Sequence, residues 1–135
     1  MNELTLSATL ENVAKVTEFV DEQLEARGCS MKAQMQIDIA IDELFSNIAN
    51  YAYNPTVGPA TIRVSVDGDP LAVTILFIDK GIPYNPLEKE DPNTGLSAEE
   101  RQIGGLGVFM VKQLMDDTTY EYRDGQNILA IHKVL

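Results

Sequence analysis

The sequence predicts a single α+β domain, a two-layer sandwich in which a mixed or antiparallel sheet carries helices on one face. Its 135 residues are the usual size of one domain, and 44% of them are hydrophobic, enough for a buried core. Apolar residues alternate in several short segments and recur with helical spacing in others. The segments follow the order strand, two helices, two strands, loop, helix, two strands. This order favours helices gathered on one face of a sheet.

The first half of the chain is predicted to form a strand and two helices. Alternating apolar residues at positions 4–10 indicate the strand. Asn12 and Ser30 stand where N-caps are expected, and Gly28 stands where the first helix ends. The second helix is predicted over residues 31–53, with a core stripe of Ile37, Ile41, Leu44, Ile48 and Tyr51.

The second half is predicted to contain two hairpins separated by a loop and a helix. Residues 60–67 and 71–79 form the first hairpin, whose second strand is nearly all apolar and is therefore expected to be central in the sheet. Residues 81–103 lose all periodicity, and a loop this long in a compact domain is either functional or disordered. A third helix over residues 108–116 precedes the last hairpin, which turns at Asp124.

The composition excludes several classes of function. Ten basic against 21 acidic residues give a net charge of −11, which opposes direct binding to nucleic acid or to an anionic membrane. No apolar run approaches the roughly 18 to 20 residues of a membrane span, and the N-terminus does not resemble a secretory signal. Cys29 and His132 are the single cysteine and histidine, so neither a disulfide nor a structural zinc site is expected. We therefore expect a cytoplasmic protein without direct nucleic-acid or membrane contacts.

The second predicted helix carries the first candidate site. Glu43, Asn47 and Asn50 have the spacing that places one carboxylate and two amides on one helix face, away from the apolar stripe. Such oxygen donors can hold a hydrated magnesium ion and orient a nucleophile. The same spacing is found on ordinary solvated helix faces, so this motif alone leaves both interpretations open.

A second candidate segment follows the predicted central strand. Asp79 ends this strand at the edge of the sheet, where its carboxylate can accept a hydrogen bond from an exocyclic amine. Gly81 would allow a flat ring to approach the backbone closely. The alternative is a simple β-turn in which Asp, Gly and Pro have their usual roles.

A third segment, Gly104-Gly105-Leu106-Gly107, opens the third predicted helix. Glycines before a helix leave backbone N–H groups free for an anion, and the helix dipole favours negative charge there. The segment is thus a candidate phosphate cradle. It is not a Walker motif, because no Gly-Lys-Ser/Thr follows, and glycine-rich turns precede helices in many folds.

Together and in this order, the three segments resemble the N, G1 and G2 boxes of the Bergerat-fold (GHKL) ATP-binding superfamily. This superfamily includes gyrase, heat-shock chaperone, histidine kinase and mismatch-repair ATPases. The short length and the tail at residues 120–129 are similar to the stand-alone branch of anti-sigma factors with serine-protein kinase activity, the RsbW-like branch. The resemblance spans residues 3–133 and implies that residues 1–135 form one histidine-kinase-like ATP-binding domain.

The resemblance also implies roles for the motif residues. Glu43 would be the general base, Asn47 the magnesium ligand, and Asp79 the partner of the adenine amino group, with Gly81 below the ring. Further nucleotide contacts would come from Pro83, Asn85, Gly104, Gly105, Leu106, Gly107 and Val108.

Two other segments are affected by the resemblance. Residues 86–103 would form the ATP lid, in which Arg101 is a candidate contact for the γ-phosphate. Relatives often have a threonine near the C-terminus that reaches adenine through water. Asn127 follows Gly125 and Gln126 here, so the resemblance does not assign that contact.

The implied function is that of an ATP·Mg-binding regulatory serine/threonine-protein kinase and anti-sigma factor. Its substrate would be a small anti-sigma-factor antagonist of the STAS type, and a sigma factor and a second copy of the chain are further expected partners. Histidine autophosphorylation is disfavoured, because the single histidine, His132, lies in a predicted strand.

Three other functions are weighed against this one, and the second of them is disfavoured. An ATP-gated protein with little or no kinase activity would sequester its partner when the lid closes. An ATPase coupled to mechanical motion would need a transducer domain, for which 135 residues leave no room. The third is an α+β domain that binds no nucleotide.

Overall fold

The computed structural model describes residues 1–88 and 106–135, which form five strands and three helices. In chain order these are β1 (Asn2–Ser7), α1 (Val13–Ala26), α2 (Met31–Asn47), β2 (Pro59–Asp67), β3 (Ala72–Asp79), α3 (Leu106–Leu114), β4 (Asp117–Arg123) and β5 (Gln126–Val134). Short 3-10 turns occupy Leu10–Asn12 and Pro86–Glu88, and a π-helical turn, Ile48–Ala52, continues α2. None of the helices in these two ranges is both long and apolar enough to cross a membrane.

The strands form one sheet in the order β1-β2-β3-β5-β4. Every neighbouring pair is antiparallel, so of the two sheets that the sequence allows, mixed or antiparallel, the structure has the antiparallel one. The central strand is β3, as its continuous apolar run predicts.

The hydrophobic core lies between the helices and one face of the sheet. Ile62, Ile75 and Ile131 come from neighbouring strands and are fully buried against Val20 of α1 and Ile37 of α2. Alternate strand residues point away from the helices, because side chains in a strand project to opposite faces. The predicted two-layer α+β sandwich with helices on one face is thus confirmed.

Ser30 and Gly28 act at the helix ends as predicted, whereas Asn12 does not. Ser30 caps α2, since its Oγ accepts a hydrogen bond from Ala33 N at 3.2 Å. Gly28 follows α1 with φ 73°, the left-handed conformation that glycine adopts easily. Asn12 precedes α1 but does not cap it, because its Nδ2 donates to the Ser7 carbonyl instead, at 2.7 Å.

The predicted second helix, residues 31–53, ends differently from the expectation. Regular α-helical geometry stops at Asn47, and the next turn is the wider π-helical turn Ile48–Ala52. The extra width rotates later residues away from their α-helical positions. Tyr51 is therefore 47% exposed and is not part of the core stripe, so its predicted core position is wrong. Asn50, predicted to share the face of Glu43, is also exposed.

The contact between α1 and α2 includes a group of acidic side chains. Asp38 of α2 faces Asp21 and Glu25 of α1. Burial raises the pKa of Asp38 to about 7, and the hydrogen bond and charge of Asp21, followed by the charge of Glu25, act in the same direction. Between about pH 4 and pH 7, Asp38 thus retains a proton that an isolated carboxyl would have lost.

Replacing Asp38 with Asn should change the pH dependence of stability. The folded-state pKa of about 7 exceeds the ordinary 3.8, so the native state holds an extra proton between these values. The free energy of unfolding of the wild type should therefore fall as pH rises through this window, and Asp38→Asn should lose that part of the slope. Urea unfolding from about pH 4 to 8 measures it. Asp42→Asn, an exposed change on the same helix, should retain the wild-type slope. An Asp38→Asn slope equal to that of the wild type would contradict the assignment.

Candidate functional site

A pocket opens at the end of β3, between the last turns of α2 and the sheet. Its walls are mostly apolar, and a few polar side chains converge in it, which is the usual composition of a small-molecule site. The pocket is lined by Leu44, Asn47, Ile48, Tyr51, Ala52, Phe77, Asp79, Ile82, Tyr84, Pro86, Tyr120, Asn127 and Leu129.

Two buried polar side chains occupy the inner end of this pocket. Asp79 and Asn127 face each other across the β3–β5 pairing, and Asn127 Nδ2 donates to Asp79 Oδ1 at 2.9 Å. Gly81 N donates to the same oxygen, also at 2.9 Å. Within the described residues, Asp79 Oδ2 accepts no hydrogen bond, so this oxygen is available to a donor in the pocket.

The protonation of Asp79 is set by two opposing effects. Burial is the larger and raises the pKa of the carboxyl, whereas the hydrogen bonds from Asn127 and Gly81 lower it. These two donors therefore favour the ionised carboxylate, which can only accept hydrogen bonds.

The π-helical turn that continues α2 is joined to the segment after β3 by a close backbone contact. Ile82 N donates to the Ala52 carbonyl at 3.1 Å, and a Cβ at residue 81 would overlap that carbonyl group. Lys80 N donates to Tyr53 Oη at 2.7 Å, on the same side. Glycine is thus required at position 81 by the approach of the chain's own backbone. This reason differs from the approach of a ligand ring that the sequence suggested.

A second close contact brings the first and third motifs together. Glu43 is half-buried on α2, and a Cβ added to Gly107 in the first turn of α3 would overlap its carboxylate. The Glu43 carboxylate therefore lies directly against the beginning of α3, one helical turn before Asn47 of the pocket wall.

The other motif residues either do not line the pocket with their side chains or lie outside the described residues. Val108 is buried in the core, so only its backbone can meet a ligand. Neither Pro83 nor Asn85 lines the pocket, and Asn85 Oδ1 accepts from Leu87 N at 2.9 Å within its own turn. Leu106 begins α3. Arg101, Gly104, Gly105 and most of the predicted lid (residues 86–103) lie outside the described residues.

Sequence reasoning missed part of the pocket. Tyr120 and Leu129 line it from β4 and β5, and Asn127 occupies its inner end. Strand alternation could have indicated Asn127 and Leu129, because both point to the same face of β5 as buried Ile131. Their closeness to Asp79 depends on the β3–β5 register, which the sequence does not specify.

The described residues also limit how a metal can bind. Across residues 1–88 and 106–135, no group of three His, Cys, Asp or Glu side chains lies close enough to hold an ion. Magnesium usually takes one or two protein ligands and completes its shell with water and phosphate oxygens. The amide of Asn47 on the pocket wall, with Glu43 one turn away, fits that mode of binding.

Comparison with known proteins gives a family and several relatives. The histidine kinase-like ATPase domain family matches residues 6–133. The chain is 28% identical over 102 residues to serine/threonine-protein kinase BtrW of Bordetella bronchiseptica, covering 76% of this chain and 71% of the relative. It is 28% identical over 107 residues to serine-protein kinase RsbW of Listeria monocytogenes, with coverages of 76% and 67%. It is 26% identical over 136 residues to serine-protein kinase RsbW of Bacillus mycoides, with coverages of 94% and 81%.

A double-mutant cycle should detect the contact between Glu43 and Gly107. Gly107→Ala should cost about 1–3 kcal/mol in the free energy of unfolding, because its Cβ overlaps the carboxylate. In the Glu43→Ala background the space is open, and the same change should be neutral or stabilising, since alanine favours a helix over glycine by about 1 kcal/mol. Urea unfolding of the four proteins gives the coupling energy. An equal cost of Gly107→Ala in both backgrounds would show that the two residues are not in contact.

Proposed function

Because the chain belongs to the histidine kinase-like ATPase domain family, we propose that it is an ATP·Mg-dependent protein kinase that phosphorylates a serine or threonine of a partner protein. The observation that supports this most is the pairing of two carboxylates with different surroundings. Asp79 is buried in an apolar pocket beside two hydrogen-bond donors, and Glu43 lies against the first turn of a helix. The first suits recognition of a base, and the second suits proton transfer next to a phosphate.

Different residues of the pocket would bind different parts of the nucleotide. Asp79 Oδ2 would accept from the exocyclic amine of adenine, and the ring would lie among apolar side chains such as Leu44, Ile48 and Ile82. Asn47 would hold the magnesium ion. The backbone N–H groups at the beginning of α3, at Gly107 and Val108, would bind phosphate oxygens, because a helix N-terminus favours anions.

Beyond binding the nucleotide, phosphoryl transfer requires only that charge be neutralised and that a base accept the proton of the attacking hydroxyl. Bound magnesium supplies positive charge that offsets the charge of the phosphates. Glu43 would accept the proton of the attacking hydroxyl, and its place against α3 keeps it near the phosphate end of the site. The chain's single histidine, His132, is not a pocket residue: its Nδ1 is hydrogen-bonded to Thr74 Oγ1 on the neighbouring strand, at 3.0 Å. The phosphate acceptor in this proposal is therefore another protein.

The choice of partner is supported by the similarity to proteins named RsbW and BtrW serine or serine/threonine kinases. We propose a small antagonist protein of the STAS type as the substrate, with the chain acting as an anti-sigma factor in the cytoplasm. A sigma factor as the second partner and a homodimer as the working form belong to the same proposal.

The experiment is a transfer assay with the purified protein, radiolabelled ATP, magnesium chloride and the antagonist encoded beside its gene. Label should appear on a serine or threonine of the antagonist. If no label appears but ATP changes the affinity for the antagonist, the chain is a sequestering protein without kinase activity. If calorimetry detects neither ATP nor ADP binding, the nucleotide proposal itself fails.

Glu43→Gln should remove the base while preserving the shape of the site. Transfer should fall by a factor of roughly 10² to 10⁴, the usual contribution of a general base, whereas the dissociation constant of ADP should change little. The control is Asp42→Asn, which removes an exposed carboxylate from the adjacent position of the same helix and should leave transfer unchanged. Wild-type rates in Glu43→Gln would assign the base to another residue.

A further inference from the structure

Asn127 is a buried polar residue to which neither the motifs nor the proposed kinase reaction gives a role. It is 5% exposed, and together with Asp79, at 6%, it makes up the buried polar side chains of the described residues. We propose that Asn127 is a positioning residue that makes the pocket selective for purines with an amino group at C6. This inference rests on the proposed nucleotide site.

The hydrogen-bonding capacity of Asn127 is fully used within the protein. Its Nδ2 donates to Asp79 Oδ1 at 2.9 Å and to the Ile82 carbonyl at 2.8 Å. Its Oδ1 accepts from Tyr84 N at 3.1 Å and from the hydroxyl of Tyr120. An asparagine side chain has two donors and two acceptor lone pairs, so all four are occupied. Asn127 therefore has no group left for a ligand and acts through its neighbours.

This set of partners fixes the orientation of the amide. A flipped Asn127 would point its NH₂ group at the Tyr84 N–H and its oxygen at the Asp79 carboxylate and the Ile82 carbonyl, so donors would face donors and acceptors would face acceptors. The side chain consequently always presents a donor to Asp79.

The donor from Asn127 determines which atom of Asp79 meets the base. Asp79 Oδ1 is occupied by Asn127 and by Gly81 N, whereas Oδ2 has no hydrogen bond among the described residues. The amide also favours the ionised carboxylate, which opposes the effect of burial on the pKa of Asp79. In the ionised state that these donors favour, Asp79 Oδ2 can only accept a hydrogen bond. An amino group at C6, as in adenine, satisfies it, and a carbonyl at C6, as in hypoxanthine or guanine, is repelled.

Asn127 also connects this carboxylate to the wall of the pocket. The Ile82 carbonyl and the Tyr84 N–H bind the two ends of the same amide, so the segment between them is held against β5. Ile82 and Tyr84 both line the pocket. The Asn127 side chain therefore positions both the acceptor oxygen of Asp79 and the adjacent pocket wall at Ile82 and Tyr84.

The test replaces a single NH₂ group by oxygen. Asn127→Asp retains an acceptor for Tyr84 N and Tyr120 but removes both donors and places a second carboxylate beside Asp79. Two carboxyl groups this close do not both ionise, and the proton that they retain can lie on Asp79 Oδ2, from which it can donate to a C6 carbonyl. Calorimetry with ADP and IDP in magnesium chloride measures the effect. Their bases, adenine and hypoxanthine, differ only in having an amine or a carbonyl at C6 and, as a result, in whether N1 carries a proton.

The wild type should bind ADP about tenfold or more tightly than IDP, because a site built for a hydrogen-bond donor rejects a ligand that lacks it. Asn127→Asp should bind ADP about tenfold or more weakly than the wild type, and its ADP preference should be lost. Its IDP affinity should decrease as pH rises, because the shared proton is then released. A purely structural role for Asn127 would not produce that pH profile.

The control is Gln126→Glu, which makes the same amide-to-carboxylate change one residue away. Gln126 points to the opposite face of β5, so both the ADP affinity and the preference over IDP should remain those of the wild type. Asn127→Ser adds no charge and should reduce the ADP preference in the same direction, and it serves where Asn127→Asp does not fold.

The possible outcomes distinguish a failure of the Asn127 inference from a failure of the proposed nucleotide site. If the wild type binds neither ADP nor IDP, the nucleotide site is wrong. If the wild type prefers ADP and both Asn127 variants fold with the same preference, the selectivity belongs to Asp79 alone and the inference is overturned. A wild type that binds ADP and IDP equally also overturns it.

Discussion

The site depends above all on the backbone contact between Ala52, at the end of the π-helical turn that continues α2, and the Gly81–Ile82 peptide after β3. This contact fixes how far α2 extends over the sheet, and α2 carries both Glu43 and Asn47. The tyrosine that follows strengthens it, since Tyr53 Oη accepts from Lys80 N and donates to the Pro59 carbonyl. Any side chain at position 81 would separate the helix from the strand. The distance between the two carboxylates of the site is thus a consequence of helix packing on the sheet.

The electrostatics of the molecule fit a site that uses few charges. The chain carries a net charge of −11, and an anionic ligand meets repulsion from the protein as a whole. Among the described residues that line the pocket, none is a lysine or an arginine. In the proposed site, the donors to the phosphates would be neutral backbone N–H groups. Such donors retain their strength at any working pH and lose little to screening by salt in a partly enclosed site. The proposed magnesium ion would then supply the positive charge that such donors lack.

Much of this structure could be predicted from the sequence, because periodicity and short-range chemistry determine it. The strands and helices, the Ser30 cap and the turn at Asp124 are local features, and the family that the three motifs indicate is confirmed by the comparisons. The π-helical turn was missed, since it arises where α2 meets the loop after β3. The Asn127 network was also missed, because it joins residues 48 apart in the chain through the register of two strands. The assigned roles of the site residues stay predictions.

The strand order has a consequence for how the protein folds. Strand β5 lies between β3 and β4, so its inner partner comes from far back in the chain, whereas its outer partner is the adjacent hairpin strand. Local hairpins close quickly, and the long-range pairing of β3 with β5 must overcome the larger entropy of loop closure. The pocket contains residues from both hairpins and exists only once that pairing is complete. Formation of the pocket in this chain therefore requires the long-range pairing of the two hairpins, and not only the closure of each one.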